Sequence, residues 1–232
     1  MTTQTYAAFP ASDVLQDFNT RFISNINAGV GSPQATLLIQ GLNQFVDECL
    51  DYYFLRPVEM VKLGGVGKKI VNGGVSGIKK TAKLAISKIV CKLSNEELKP
   101  IAAYIDSMMK DVQKGDKTIT YIAVPVSEQL SGGLRSATHV GRNGDPHRVA
   151  EDFSLALCGL IDESLAQYFE EPLNLLHMGF LMEKIAKVAT ESTRSAAHTV
   201  VKKVPKTMSE KELLMFFEFA DSLLLDAQAL AA

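Results

Sequence analysis

The sequence predicts a mainly α-helical protein: two tandem, pseudo-symmetric repeats of about 115 residues, each opening with one short β-strand, packed as one compact domain. Three observations lead to this fold class. The chain matches itself at one offset, helix start and stop signals recur at matching positions, and apolar residues recur at helical spacing. We therefore divide the chain into repeats 1–115 and 116–232.

The self-match appears when the chain is shifted by 115 residues, with no gap. TQTYAAFPASDVL (3–15) then aligns with TITYIAVPVSEQL (118–130), and VDECLDYYFLRP (46–57) aligns with IDESLAQYFEEP (161–172). At the same offset LSNEEL (93–98) meets MSEKEL (208–213). Several blocks at one unbroken offset indicate an internal duplication.

Each repeat is expected to begin with a strand and a first helix. TITYIAV alternates and is rich in β-branched residues, so it predicts a strand; TQTYAAF is weaker, and we expect the two to pair. A first helix is predicted over 12–26. We expect its counterpart to be broken at Gly132 and Gly133, because glycine weakens helices. Glycine-rich turns follow at 28–32 and 141–146.

The remaining helices are bounded by prolines and caps. Apolar helices are predicted over 34–55 and 147–170, followed after Pro57 and Pro172 by long helices over 58–90 and 173–204. Last helices over 95–112 and 210–230 begin at S-x-x-E capping boxes. The apolar stripes of the long helices narrow to small residues, so we expect these helices to cross where Gly74 meets Ala189.

Composition excludes some functional classes. A hydrophobic fraction of 47%, a charged fraction of 22% and a net charge of −2 are those of an ordinary globular protein rather than a strongly basic nucleic-acid binder. The sequence contains no signal-peptide pattern and no uninterrupted apolar span. Three cysteines without metal-binding spacing are typical of free thiols in a reducing compartment, so we expect a cytoplasmic protein.

A lysine-rich segment, 62–92, is the strongest local signal. It contains eight lysines and no acidic residue. Such a segment favours an anionic partner, and we rank a membrane surface ahead of nucleic acid because no aromatic side chains alternate with the lysines. The alternative is a solvated helix face whose lysines pair with carboxylates of the same chain. The candidate binding residues are Lys68, Lys69, Lys79, Lys80, Lys83, Lys184, Lys187 and Arg194.

Two acidic pairs at equivalent positions, Asp47-Glu48 and Asp162-Glu163, suggest a helical carboxylate site for two metals. Such sites also need a histidine three residues after a glutamate, and the chain has Asp51 and Ala166 there. A metal-dependent enzyme is therefore only a remote alternative. The segment GGVGKKI lacks the hydroxyl residue of a phosphate-binding loop, and we predict no enzyme and no cofactor.

Charge is divided unevenly between the repeats, at +3 in the first and −5 in the second. Opposite charges attract, and a contact between copies builds a ring if it closes and a filament if it does not. Our leading hypothesis is thus a non-enzymatic interaction or self-assembly protein whose partner is itself or another protein. The alternative hypothesis is binding to an anionic surface through 62–92.

Overall fold

The computed structural model describes residues 4–230. It is 75% helix with one antiparallel sheet of four strands, which confirms the mainly helical prediction. The first half contains β1 (Thr5–Pro10), α1 (Asp13–Asn27), α2 (Ala35–Leu50), α3 (Arg56–Met60), α4 (Gly65–Val90), α5 (Asn95–Met108) and β2 (Met109–Lys114). The second half contains β3 (Lys117–Val126), α6 (Glu128–Asn143), α7 (Ala150–Leu165), α8 (Glu171–Asn174), α9 (Phe180–Lys203), α10 (Glu210–Ser222), β4 (Leu224–Asp226) and α11 (Ala227–Leu230). A π-helical turn joins α2 to α3 (Asp51–Leu55) and α7 to α8 (Ala166–Glu170).

The sheet has the order β2-β3-β1-β4, with the two expected strands in its centre. These strands pair, as predicted; the pairing is antiparallel, and Ala8 lies opposite Ala123, which is 115 residues further along the chain. The outer strands follow the same 115-residue offset. Met109 pairs with Ile122, and the residues at the equivalent positions of the other half, Leu224 and Ala7, also pair. Each outer strand thus completes the sheet beside the inner strand of the other half.

The outer strands correct one prediction, because 109–112 and 224–226 were expected to continue the last helices. The backbone leaves the helix at Met109, which has a ψ of 127°. A lone β1–β3 pair would leave two unpaired edges, and β2 and β4 supply the missing hydrogen bonds. Val112 is buried in a small cluster on the sheet. The pairing partner is distant in the sequence, so helical spacing alone did not reveal it.

The helix α6 also corrects a prediction, because it continues through Gly132 and Gly133. The two glycines cost ~1 kcal/mol each relative to alanine. Packing against α7 and the core offsets this cost: Ser131 and Leu134 are buried, and a methyl group on Gly159 of α7 would lie 2.5 Å from Leu130 Cδ2 of α6. The helix is therefore stabilised by tertiary contacts rather than by its own sequence.

The long helices are shorter than predicted, because each is interrupted after the π-helical turn. In the first half the chain turns at 61–64, where Lys62 has a positive φ of 53°, and α4 starts at Gly65. In the second half α8 ends at Asn174 and α9 starts at Phe180. Both capping boxes are present as predicted, at Ser94 with Glu97 and at Ser209 with Glu212.

The helices α4 and α9 pack against each other, but the predicted contact of Gly74 with Ala189 is wrong. A methyl group on Gly74 would lie 2.5 Å from Val200 Cγ2, whereas Ala189 is buried in a cluster with Ala85 and Ile89. Residues early in α4 therefore meet residues late in α9, and the helices are antiparallel. Small residues do permit a close approach of the two helices, but Gly74 contacts Val200, and Ala189 packs with Ala85.

The main buried cluster draws on both halves, with Phe22 and Leu98 from the first and Phe153, Leu213 and Phe217 from the second. These side chains belong to α1, α5, α7 and α10. Among residues 4–230, no helix is both long enough and apolar enough to cross a membrane.

Candidate functional site

Three of the predicted cations form ion pairs within the chain. Lys79 Nζ lies 2.9 Å and Lys83 Nζ 2.7 Å from the carboxylate of Asp47, which links α4 to α2. Burial raises the pKa of Asp47, but hydrogen bonds from Lys83 and Lys79 outweigh it and hold that pKa below its usual value. These two lysines therefore have a carboxylate partner within the chain, which is the arrangement that the alternative interpretation of the segment describes.

Arg194 has the same position in α9 that Lys79 has in α4. Its guanidinium lies 3.0 Å from Asp162 and 2.7 Å from Glu170, and it also binds Glu191. The hydrogen bonds that Arg194 donates to Glu170 above all, and to Glu191, raise its pKa above the usual value. His198 Nε2 lies 3.0 Å from Asp162, so Asp162 has two partners, as Asp47 does.

The five other predicted cations are exposed, and within residues 4–230 they form no ion pair. They are Lys68, Lys69, Lys80, Lys184 and Lys187. With 3.6 residues per turn, Lys69 and Lys80 lie on the side of α4 opposite its buried stripe, and Lys184 lies on the matching side of α9. Lys68 and Lys187 lie towards the flanks of the helix pair.

Exposed aliphatic side chains share this side of the helix pair, which we call the outer α4–α9 face. Their exposed fractions are 67% for Val66, 54% for Leu84, 62% for Leu181 and 60% for Val188. Exposed large apolar residues that cluster are informative where single ones are not. The face consists of Val66, Lys69, Gly73, Gly77, Lys80, Leu84 and Lys88 from α4, and Leu181, Lys184, Val188, Ser192, Ser195, Thr199, Lys202 and Lys203 from α9.

Carboxylates are scarce beside the outer α4–α9 face in the described part of the chain. Glu191 borders it but is bound to Arg194, and Glu183 lies on the flank that faces away from α4. Glu151 of α7 lies with Lys202 around one surface pocket at the edge of the face. The other lysines of the face form no ion pair among the described residues, so the face combines positive charge with exposed aliphatic surface.

The acidic residues considered as metal ligands have other partners. Glu48 accepts a hydrogen bond from the Ser12 backbone at 3.0 Å, and Glu163 accepts one from the Ser127 backbone at 2.9 Å. Ser12 and Ser127 are the N-caps of α1 and α6, so each glutamate fixes the start of a helix. Across residues 4–230, no three side chains of metal-binding type lie together.

A second feature lies inside the helix assembly, where two apolar cavities of about 110 Å³ and 120 Å³ adjoin. Four residues line both of them, namely Phe45, Val46, Tyr168 and Phe169. We call the pair the central chamber, with a first lobe towards α5 and a second lobe towards α10. None of the described residues that line either lobe is charged.

Two tyrosines on the π-helical turns face the central chamber. Tyr168 lines both lobes and Tyr53 lines the second. Both hydroxyls are buried; they interact with each other, and neither has a hydrogen-bond partner elsewhere among the described residues. Burial raises the pKa of both phenols well above their usual value, and it raises the pKa of the nearby Cys49 thiol to about 12. These groups are therefore neutral near pH 7.

The central chamber was not predicted from the sequence. Its only signal was the aromatic pair at Tyr53-Phe54, repeated as Tyr168-Phe169.

Comparison with known protein families, curated proteins and solved structures finds no significant match.

Proposed function

We propose that this is a non-enzymatic interaction protein that binds anionic membrane surfaces through the outer α4–α9 face. The observation that carries the proposal is the combination of unpaired lysines and exposed aliphatic residues on one side of a helix pair. Phosphate head groups attract the lysines, and the aliphatic side chains gain free energy by leaving water.

The shape of the face favours a membrane over nucleic acid. Two antiparallel helices with glycine and serine between their longer side chains present a broad, shallow surface, which suits a bilayer interface. Single-stranded nucleic acid is bound mainly by aromatic stacking, and the outer face contains no aromatic residue. Lysine stems can lie along the apolar boundary while their ammonium groups reach the phosphates.

We also infer that the chain is a tandem duplication whose halves pack as one unit about a pseudo-two-fold axis. The sheet register supports this: Ala8 pairs with Ala123, 115 residues away, and the pair Met109–Ile122 recurs as Leu224–Ala7 when each residue is shifted by 115. The bonds of Ser12 with Glu48 and of Ser127 with Glu163 also support it.

Self-association is the second candidate function, with another copy of the chain as the partner. It is supported by Phe180, which is 81% exposed at the start of α9, and by the opposite net charges of the halves. Light scattering after size-exclusion chromatography tests it, and a monomer at every concentration would refute it.

The membrane proposal is tested by vesicle sedimentation with phosphatidylcholine alone and with added phosphatidylglycerol. We expect binding only to the anionic vesicles, weakening as salt rises. Reversal of Lys69, Lys80 and Lys184 to Glu should reduce binding by tenfold or more, since each basic residue contributes ~1 kcal/mol near such a surface.

A control variant has the same net charge but reverses exposed cations outside the face, at Lys117, Arg148 and Lys211. It should bind nearly as well as the unmodified protein, apart from a general charge effect. Replacing Leu181 and Val188 with Ser tests the apolar contribution. Absence of binding at low salt, or an equal loss in the control variant, would contradict the proposal.

A further inference from the structure

We propose that the central chamber binds a neutral apolar molecule that carries one hydrogen-bond-accepting oxygen, such as a fatty alcohol or a long-chain ketone. This site is independent of the outer α4–α9 face, since no residue of that face lines either lobe. It concerns the interior of the protein, which the surface proposal does not use.

The size of the chamber sets the size of the ligand. An apolar protein cavity of ~150 Å³ stays dry and accepts benzene. The two lobes of about 110 Å³ and 120 Å³ adjoin, and together they exceed that volume. By proportion they accommodate an alkyl chain of about ten carbons. A chain that bends past Phe45 and Tyr168 would occupy both lobes.

The lining sets the polarity of the ligand. Nearly all of it is aliphatic or aromatic, and the described lining residues include no lysine, arginine or carboxylate. An ionised head group would be buried there without a counter-charge, which is strongly unfavourable. This excludes a fatty-acid carboxylate and favours an alcohol, ketone or ester.

The tyrosine hydroxyls set the position of the oxygen. Buried hydroxyls normally have a hydrogen-bond partner, and leaving one without a partner is costly. Tyr53 and Tyr168 are neighbours whose hydroxyls interact with each other, and neither hydroxyl has a hydrogen-bond partner elsewhere in the described protein. Only one of the two can donate to the other, so one O–H remains at the chamber to donate to a ligand oxygen. Both side chains come from π-helical turns, which are frequent at functional sites.

The test uses two neutral ten-carbon probes, 1-naphthylamine, whose fluorescence shifts in apolar sites, and 1-decanol as its competitor. We expect saturable binding of the naphthylamine and its displacement by 1-decanol. Ser164→Phe places a ring in the second lobe and should weaken naphthylamine binding at least tenfold. Ser107→Phe, at an exposed position outside the chamber, should not.

Shape-conserving variants test the polar contact and do not depend on Ser164→Phe folding. Tyr168→Phe and Tyr53→Phe each remove one hydroxyl, so 1-decanol should displace the probe about fivefold less effectively, while the probe's own affinity stays within about twofold. The lysine-reversal variant of the outer face should bind both probes normally. No saturable probe binding, unchanged binding in Ser164→Phe, or unchanged 1-decanol competition in both tyrosine variants would overturn the proposal.

Discussion

The close contact between Gly74 and Val200 offers a test of how α4 and α9 pack. Gly74→Ala adds one methyl group, which would lie 2.5 Å from Val200 Cγ2. Val200 is 3% exposed, and its β-branched side chain has little rotamer freedom in a helix. Neither the valine nor its helix can move without disturbing the core. Gly77 lies three residues further along α4. A methyl group added there would have open space around it, so Gly77→Ala is the matched control.

Two opposing contributions determine the size of the effect. Alanine stabilises a helix interior by ~1 kcal/mol relative to glycine, at both positions. Forcing a methyl group into a packed contact costs ~1–3 kcal/mol, at Gly74 only. We therefore expect Gly77→Ala to stabilise the protein by ~1 kcal/mol and Gly74→Ala to destabilise it by ~0–2 kcal/mol. The two variants should differ by ~1–3 kcal/mol.

Urea denaturation followed by circular dichroism measures these free energies of unfolding. Thermal unfolding should agree, at ~2–4 °C per kcal/mol for a chain of this size. In the background of Val200→Ala the penalty at Gly74 should shrink, because the clashing methyl is gone. If Gly74→Ala stabilises the protein as much as Gly77→Ala does, the close approach of α4 and α9 is refuted.

Two further predictions concern charge and capping. The pKa of Asp47 is lowered in the fold, so its ion pairs stabilise the protein above about pH 5 and the stabilisation is lost as the pH falls through the folded pKa. Asp47→Asn should remove this part of the pH dependence of stability. The change in the free energy of unfolding should be within ~1 kcal/mol, because the ion pair is partly exposed. Urea midpoints that vary with pH as in the unmodified protein would contradict this prediction. Ser209→Ala removes the cap of α10 and should cost ~1 kcal/mol in urea denaturation, whereas Ser195→Ala, at an exposed position within α9, should be near neutral. Equal effects of the two serine changes would contradict the capping argument.

Local signals predicted those parts of the fold that depend on local chemistry. The helices over 34–55 and 147–170 were predicted nearly to their observed limits, because prolines and apolar spacing mark them. The capping boxes at Ser94 and Ser209 were recognisable because both partners lie within four residues. The strands β2 and β4 were not, since what makes 109–114 a strand is the free edge of β3, which no local pattern reports.

The binding candidates show the same limit. The sequence placed all eight cations on two helices, but it did not separate Lys79 and Lys83 from Lys69 and Lys80. The difference lies in Asp47, which comes from α2 and meets only the first two. The central chamber was not predictable from the sequence for a related reason: its walls come from several helices that are distant in the sequence.

Equivalent positions of the two halves separate structural from functional candidates. Asp47 and Asp162 are both acids, and each has two basic partners, although the bases differ. Ion pairing between helices is therefore enough to explain why both halves have an acid at this position, and no external ligand is needed to explain it. Lys69 and Lys184 are also equivalent, as are Val66 and Leu181, yet these side chains are exposed and the structure gives the lysines no ion-pair partner within residues 4–230. A cation and an aliphatic residue that recur in both halves without a structural role suggest an external partner, which makes Lys69 and Lys184 the first residues to change in the vesicle experiment.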